Sequence, residues 1–232
     1  MTRRLIPIAL ASSIVVILVA LAYGLRLGPF RPNGGSTDPG PVIARVDGRP
    51  IHLAEAAARV ESLCSVHGDV REVLGEAWPD TVLQSLVDDR ILEREAERLG
   101  IRVTPGDIQA HLENVRSMLP EGQDLDAWLA AQGVTLDELQ RRIRLQILGA
   151  RVFAAVTEDV RVTSEEIRAY YRDHRAEFEE ADGTIPPLLE VRRSIRDALL
   201  EGARNRAYAA WLRQARRDTE VVILMPDWWE RL

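Results

Sequence analysis

The sequence predicts a mainly α-helical domain closed by a small β-sheet that pairs its N-terminal and C-terminal strands, preceded by one transmembrane helix. Three observations predict it. Leu5–Leu25 is apolar and uncharged, most of the chain beyond residue 53 repeats apolar residues at three- and four-residue steps, and short β-branched runs flank that helical stretch.

The N-terminal run, LIPIALASSIVVILVALAYGL, follows Arg3 and Arg4 and holds twenty-one residues without a charge. As a helix it spans about 31 Å, enough for a bilayer core. A secretory signal is the competing reading, since Ala20-Leu21-Ala22 resembles a small-x-small cleavage site. The run exceeds the roughly 7–15 apolar residues of such a signal, which favours a retained anchor over residues 1–27. Both readings place everything after Arg26 outside the cytoplasm. Residues 28–41, GPFRPNGGSTDPGP, lack apolar periodicity and read as a flexible linker.

The folded domain is expected over 42–225. In VIARVDGRPI, Val42–Ile51, apolar residues lead into Asp47-Gly48, a strong hairpin turn signal. EVVILM, Glu220–Met225, is a second β-branched run, stopped by Pro226. Two short strands at opposite ends of a helical chain are marginal alone, so they are expected to pair. Between them, Leu53–Ser65 places Ala56, Ala57, Val60 and Leu63 on one side. From Pro79 a stripe of Val82, Leu83, Leu86, Val87, Ile91, Ala96 and Leu99 ends at Gly100, a C-terminal cap signal. A last helix is expected from about Pro186 to Arg217, with Leu188, Val191, Ile195, Leu199, Ala203 and Trp211 in helical steps.

Three related hexamers recur: VTPGDI at Val103–Ile108, VTLDEL at Val134–Leu139 and VTSEEI at Val162–Ile167. Each Thr has an acid three residues on, Asp107, Glu138 and Glu166, which is capping-box spacing. Each is also bracketed by apolar residues at the positions of a hydrophobic staple. The hexamers therefore mark helix starts rather than a binding motif, and their unequal spacing excludes a solenoid repeat.

The composition removes several chemistries. The net charge is −6, which gives no basic footprint for nucleic acid. All thirty basic residues are arginine, so no lysine is available for a Schiff base or a P-loop. Cys64 is the single cysteine and excludes an internal disulfide or a Cys-based zinc site; its spacing from Val60 and Leu63 suggests a small apolar helix-face residue. His52, His67, His111 and His174 have no partners at metal-ligand spacing and read as surface or capping residues. No GxSxG, GxGxxG or Walker loop occurs, so no catalytic, cofactor-binding or metal residue is assigned. Trp78, Trp128 and Trp211 sit at core-compatible positions. Trp228 and Trp229, in the tail 226–232, lack periodic context and are the candidate partner-binding residues, folding back over the domain or standing exposed.

The layout resembles the N-terminal chaperone domain of the SurA, PrsA and PpiD type of bacterial foldase. Val46, Gly48 and Ile51 fit that family's "V-x-G-x-x-I" turn; Leu86, Asp88, Leu92, Glu95, Ala96, Gly100, Ile101, Val103 and Thr104 fit its central helix and junction. VTSEEIRAYYRDHRAEF, Val162–Phe178, looks like the segment that precedes the parvulin isomerase domain, and the stretch from Ile195 to Leu224 like the returning helix and strand. The departure lies between them. Only eleven residues, EEADGTIPPLL, separate Phe178 from Glu190, and a domain takes at least about 50. No parvulin domain fits there, so prolyl isomerase activity is not carried over.

The resemblance implies a SurA-N-like helical core and a membrane-tethered, extracytoplasmic chaperone-like protein that binds unfolded or newly translocated polypeptides without catalysis or cofactor. Its partners would be those polypeptides and, through the N-terminal helix, the membrane; its place would be the bacterial inner membrane, single-pass, with the domain on the periplasmic side. The alternative is a non-catalytic accessory subunit of an envelope secretion or assembly complex. A peptidyl-prolyl isomerase ranks below both.

Overall fold

The computed structural model describes residues 39–232 except Glu121 and Gly133. Its described chain divides into two compact units, one of Ala154–Arg213 and one of the residues up to Phe153 together with Gln214–Leu232.

The larger unit starts with β1 (Val42–Val46) and β2 (Arg49–His52). Asp47 and Gly48 both adopt positive φ, 48° and 78°, the two-residue turn whose twist suits a tight hairpin. The C-terminal strand β3 (Val221–Ile223) pairs antiparallel with β1, so the order is β2-β1-β3 and the two ends of the chain meet as expected. Asp47 ties that junction: its N–H donates to the Glu220 carbonyl at 2.9 Å and its carboxylate accepts from the Glu220 N–H at 3.0 Å.

Helices α1 (Leu53–His67), α2 (Val70–Leu74), α3 (Trp78–Arg98), α4 (Pro105–Met118), α5 (Leu125–Gln132) and α6 (Leu136–Val156) follow. Helix α3 carries the central stripe, burying Val82, Leu86, Val87 and Ile91. It ends where glycine permits φ of 69°: the Gly100 N–H donates to Glu97 and the Ile101 N–H to Ala96, a Schellman closure. Arginines pin the sheet to α3. Arg94 reaches the Asp47 carboxylate at 2.5 Å, and Arg90 bonds both Glu55 and the Pro50 carbonyl.

The smaller unit holds α7 (Ser164–Asp173), a 3-10 turn at Arg175–Phe178, and α8 (Leu188–Arg217) up to Arg213. Ile167, Phe178 and Ile195 form its core, with Tyr170, Tyr171, Val191 and Leu199 packed around them. The Tyr171 hydroxyl donates to the Pro186 carbonyl at 2.7 Å. The connection 179–187 holds a folded turn: the Glu180 N–H donates to Thr184 O, the Gly183 N–H to Glu180 O, and Asp182 accepts from the Thr184 N–H and hydroxyl.

The hexamers are helix starts. Thr104 and Thr163 form complete capping boxes with Asp107 and Glu166. At Thr135 the hydroxyl accepts from the Glu138 N–H, while the Glu138 carboxylate turns to Arg142.

Three expectations need correction. The transmembrane helix read from Leu5–Leu25 falls outside the described residues, and no helix among the described residues is long and apolar enough to cross a membrane. Helix α8 has the length, at thirty residues, but arginines and acids recur along it. The described fold class is therefore mainly α with a small sheet, and no membrane-spanning helix among the described residues supports the expected membrane partner or single-pass inner-membrane localisation. The sheet is also open rather than closing the domain, since β2 and β3 are both edges. Cys64 is exposed among the described residues rather than packed as a small apolar residue of a helix face.

Candidate functional site

Three of the four histidines face backbone carbonyls. His52 faces the Gly40 carbonyl through Nδ1, His111 the Asp107 carbonyl, and His174 the Tyr170 carbonyl while stacking on that ring at 4.1 Å. Among the described residues no group of three or more His, Cys, Asp or Glu could hold a metal ion. Glu95, buried on α3, is held by Arg94 and Arg98 and is spent on structure. Burial pushes the Asp89 carboxyl up, against the opposing pull of Arg59, which bonds it at 2.5 Å. Both carboxylates are thus bonded to arginines of the fold.

What remains is apolar surface. In the smaller unit a cleft of about 520 Å³ opens between the start of α7 and the first turns of α8. Val162, Ile167 and Leu189 supply apolar walls, and Arg192, Arg193 and Arg196 the rim. The sequence places them there simply. The Thr163 cap sets the entry angle of α7, so Val162 and Ile167 fall together, and α8 brings an arginine every third or fourth residue to the same side. Arg192 donates to the Ser164 hydroxyl at 3.0 Å, while Arg193 and Arg196 share Asp197. Leu189 is 83% exposed, high for a leucine. An apolar wall under a guanidinium rim accepts aliphatic or aromatic side chains that have acidic neighbours.

The larger unit exposes β3. Val221, Val222, Ile223 and Leu224 are a contiguous apolar run, each 40–53% exposed. Helical periodicity did not single out Leu189 or this run. The usable signal was that β-branched residues occupy a segment with no polar alternation.

The candidate tryptophans part company. Trp228 folds back and is 1% exposed, edge-on to Trp78, whereas Trp229 lies against it at 6.1 Å and stays half-buried. Trp78 is buried; Trp128 and Trp211 are half-buried, the latter against Tyr208.

The Foldase protein PrsA of Clostridium perfringens is 26% identical over 192 residues, covering 75% of this chain and 54% of that protein. The Foldase protein PrsA of Clostridium acetobutylicum is 24% identical over 140 residues, covering 56% and 42%, and that of Caldanaerobacter subterraneus 28% over 153 residues, covering 60% and 45%. The chain thus spans about half the length of the curated relatives it matches. The sequence model described as SurA-like N-terminal domain matches residues 7–153, more than half of the chain, and the chain belongs to that family.

Proposed function

We propose that this protein is a non-catalytic, chaperone-like domain that binds unfolded or secreted polypeptides and delays their aggregation. The observation that carries the reading is the cleft of the smaller unit, apolar along Val162, Ile167 and Leu189 and rimmed by arginine. It lies in a chain whose relatives are foldases and whose isomerase position is a short turn between Phe178 and Leu188. A small, open, apolar site recognises side-chain character rather than sequence, and so suits weak and tolerant binding.

The test is light scattering from a chemically unfolded secreted protein diluted into buffer with the full chain. Scattering slowed at near-stoichiometric ratios is expected, while a proline peptide exchanges cis and trans at its uncatalysed rate. Unchanged scattering at several-fold excess would sink the reading.

A second reading, a fixed accessory subunit of a larger protein assembly, is favoured by Trp229, which keeps part of its ring open beside the buried Trp228. Pull-down of a single stoichiometric partner, lost on Trp229→Ala, would support it. A broad scatter of clients would count against it.

A further inference from the structure

The two edges of the sheet differ in a way that points to a ligand. On β2 the closing pair of the hairpin, Val46 and Arg49, turns its hydrogen bonds inward, which leaves Pro50 facing outward. Proline has no N–H to offer, and the Pro50 carbonyl already accepts from Arg90 at 3.2 Å. The pairing also carries an irregularity between Val42 and Ala44, and Arg49 is drawn aside to Glu97 at 2.6 Å. These are the devices by which natural sheets refuse another strand.

On β3 none of them is present. The Asp47 N–H bonds Glu220 and the Leu224 N–H bonds Ile43, so alternation turns Val222 inward toward Arg45 and leaves Val221 and Ile223 facing out. Their N–H and C=O groups have no partner among the described residues. The side chains of Val221 and Ile223 lie on the face of Val46 and Ala44, both buried, so the core face of the sheet runs out onto the open edge. The run VVIL holds no charge, and Pro226 comes too late to protect it.

We propose that the free edge of β3 takes up an extended segment of unfolded polypeptide as a fourth strand. The backbone groups of Val221 and Ile223 supply the hydrogen bonds, and every second side chain of the guest continues the apolar face that those residues begin. This rests on the function proposed above and names a second contact through which a client is held. Backbone pairing explains tolerance of sequence, since every peptide offers the same donors and acceptors and only the alternation of apolar side chains is read. A second copy of the chain is the weaker occupant. Three residues of strand span roughly 10 Å, too short an edge for the ~1,200 Å² or more that a stable interface buries.

The experiment measures fluorescence anisotropy of a labelled seven-residue peptide alternating valine with serine, titrated with the full chain. A twin peptide N-methylated at consecutive residues keeps every side chain and loses the ability to join a sheet. Binding of the first, weakened about tenfold or more for the twin, is expected. Ile223→Pro deletes an outward N–H and breaks no hydrogen bond to β1, so it should weaken the first peptide similarly with the circular dichroism spectrum unchanged. Val222→Thr, whose backbone faces β1, should bind nearly as the parent does. Equal affinity for the two peptides, or no affinity for either, overturns the proposal even if aggregation is still slowed, in which case the general chaperone reading stands. Edge-selective binding without slowed aggregation keeps the β3 site and removes the chaperone reading. A dimer in sedimentation that Ile223→Pro dissociates, with no peptide bound, assigns the edge to a second copy and overturns it as well.

Discussion

Trp228 meets Trp78 edge to face, with ring centroids 5.8 Å apart and planes at 78°, across a separation of 150 residues in the chain. The contact fixes the C-terminal tail to the start of α3, and Arg71 lies over the Trp78 ring at 5.9 Å. Trp228→Ala removes a fully buried aromatic and should destabilise the larger unit by about 3–5 kcal/mol, a large share of a typical domain's stability. Trp229→Ala should cost less than about 1.5 kcal/mol because its ring is only half-buried. Denaturant unfolding followed by far-ultraviolet circular dichroism separates the two, and equal losses would refute the placement of the tail.

The caps offer a second test. At the start of α7 the Thr163 hydroxyl accepts from the Glu166 N–H at 3.2 Å, and the Glu166 carboxylate takes the Thr163 N–H at 2.7 Å. Thr163→Ala should cost about 1 kcal/mol and Thr163→Asp far less, because aspartate caps nearly as well. The urea midpoint should move with an unchanged slope, since the exposed surface on unfolding is the same. Indistinguishable midpoints for the two variants would rule out a capping role.

These elements were the legible part of the molecule, and the reason is range. A capping box, a Gly-terminated helix and an Asp-Gly turn each draw on neighbours a few residues away, so Thr104, Gly100 and Asp47-Gly48 declare themselves. The pairing of β1 with β3 was legible from a negative, as neither strand had another partner nearby. Cys64 was misread because periodicity defines a face of α1 without saying whether anything covers it. The burial of Trp228 and the exposure of Leu189 were invisible for a related cause: each depends on which distant element arrives, and no local pattern records that. The cleft combines both cases, with Val162 and Ile167 legible as a staple and Leu189 not legible at all.

Acid titration tests a third relationship. Asp107 accepts from Thr104 at the cap of α4 and from Arg151 of α6, at 2.6 Å to one carboxylate oxygen. The Arg151 guanidinium, aided by the Thr104 N–H and hydroxyl, holds the Asp107 carboxyl well below its ordinary value. A carboxyl depressed on folding contributes stability above its unfolded value, near 3.8, and that contribution is lost as the pH falls toward the folded value. Asp107→Asn should therefore melt lower than the parent at neutral pH, with the gap closing from about pH 5 downward. Asp89 has the opposite sign: raised by burial, it favours the folded state more as the pH falls. Since Asp89 is present in both proteins, the difference in melting temperature isolates Asp107. A gap that persists unchanged at pH 2 would show that its loss is steric rather than electrostatic.

The cleft makes the last prediction, in which stability and binding must separate. Leu189 is 83% exposed, so Leu189→Ser should change stability by less than about 0.5 kcal/mol. It removes one apolar wall of the cleft, and the delay of client aggregation should shorten with the melting temperature unchanged. Ile167→Ser cannot serve the same purpose, because Ile167 belongs to the core with Phe178 and Ile195 and would take the fold with it. Reversing the rim tests the electrostatic half of the site. Arg193→Glu gives up only the 3.8 Å pair with Asp197, which keeps Arg196 at 2.8 Å, so the fold should hold. An acidic client should then associate more slowly, and more so at low than at high salt, because rim charges act on encounter rate and are screened. If Leu189→Ser and Arg193→Glu both protect an unfolded client as well as the parent does, the cleft is not where clients bind.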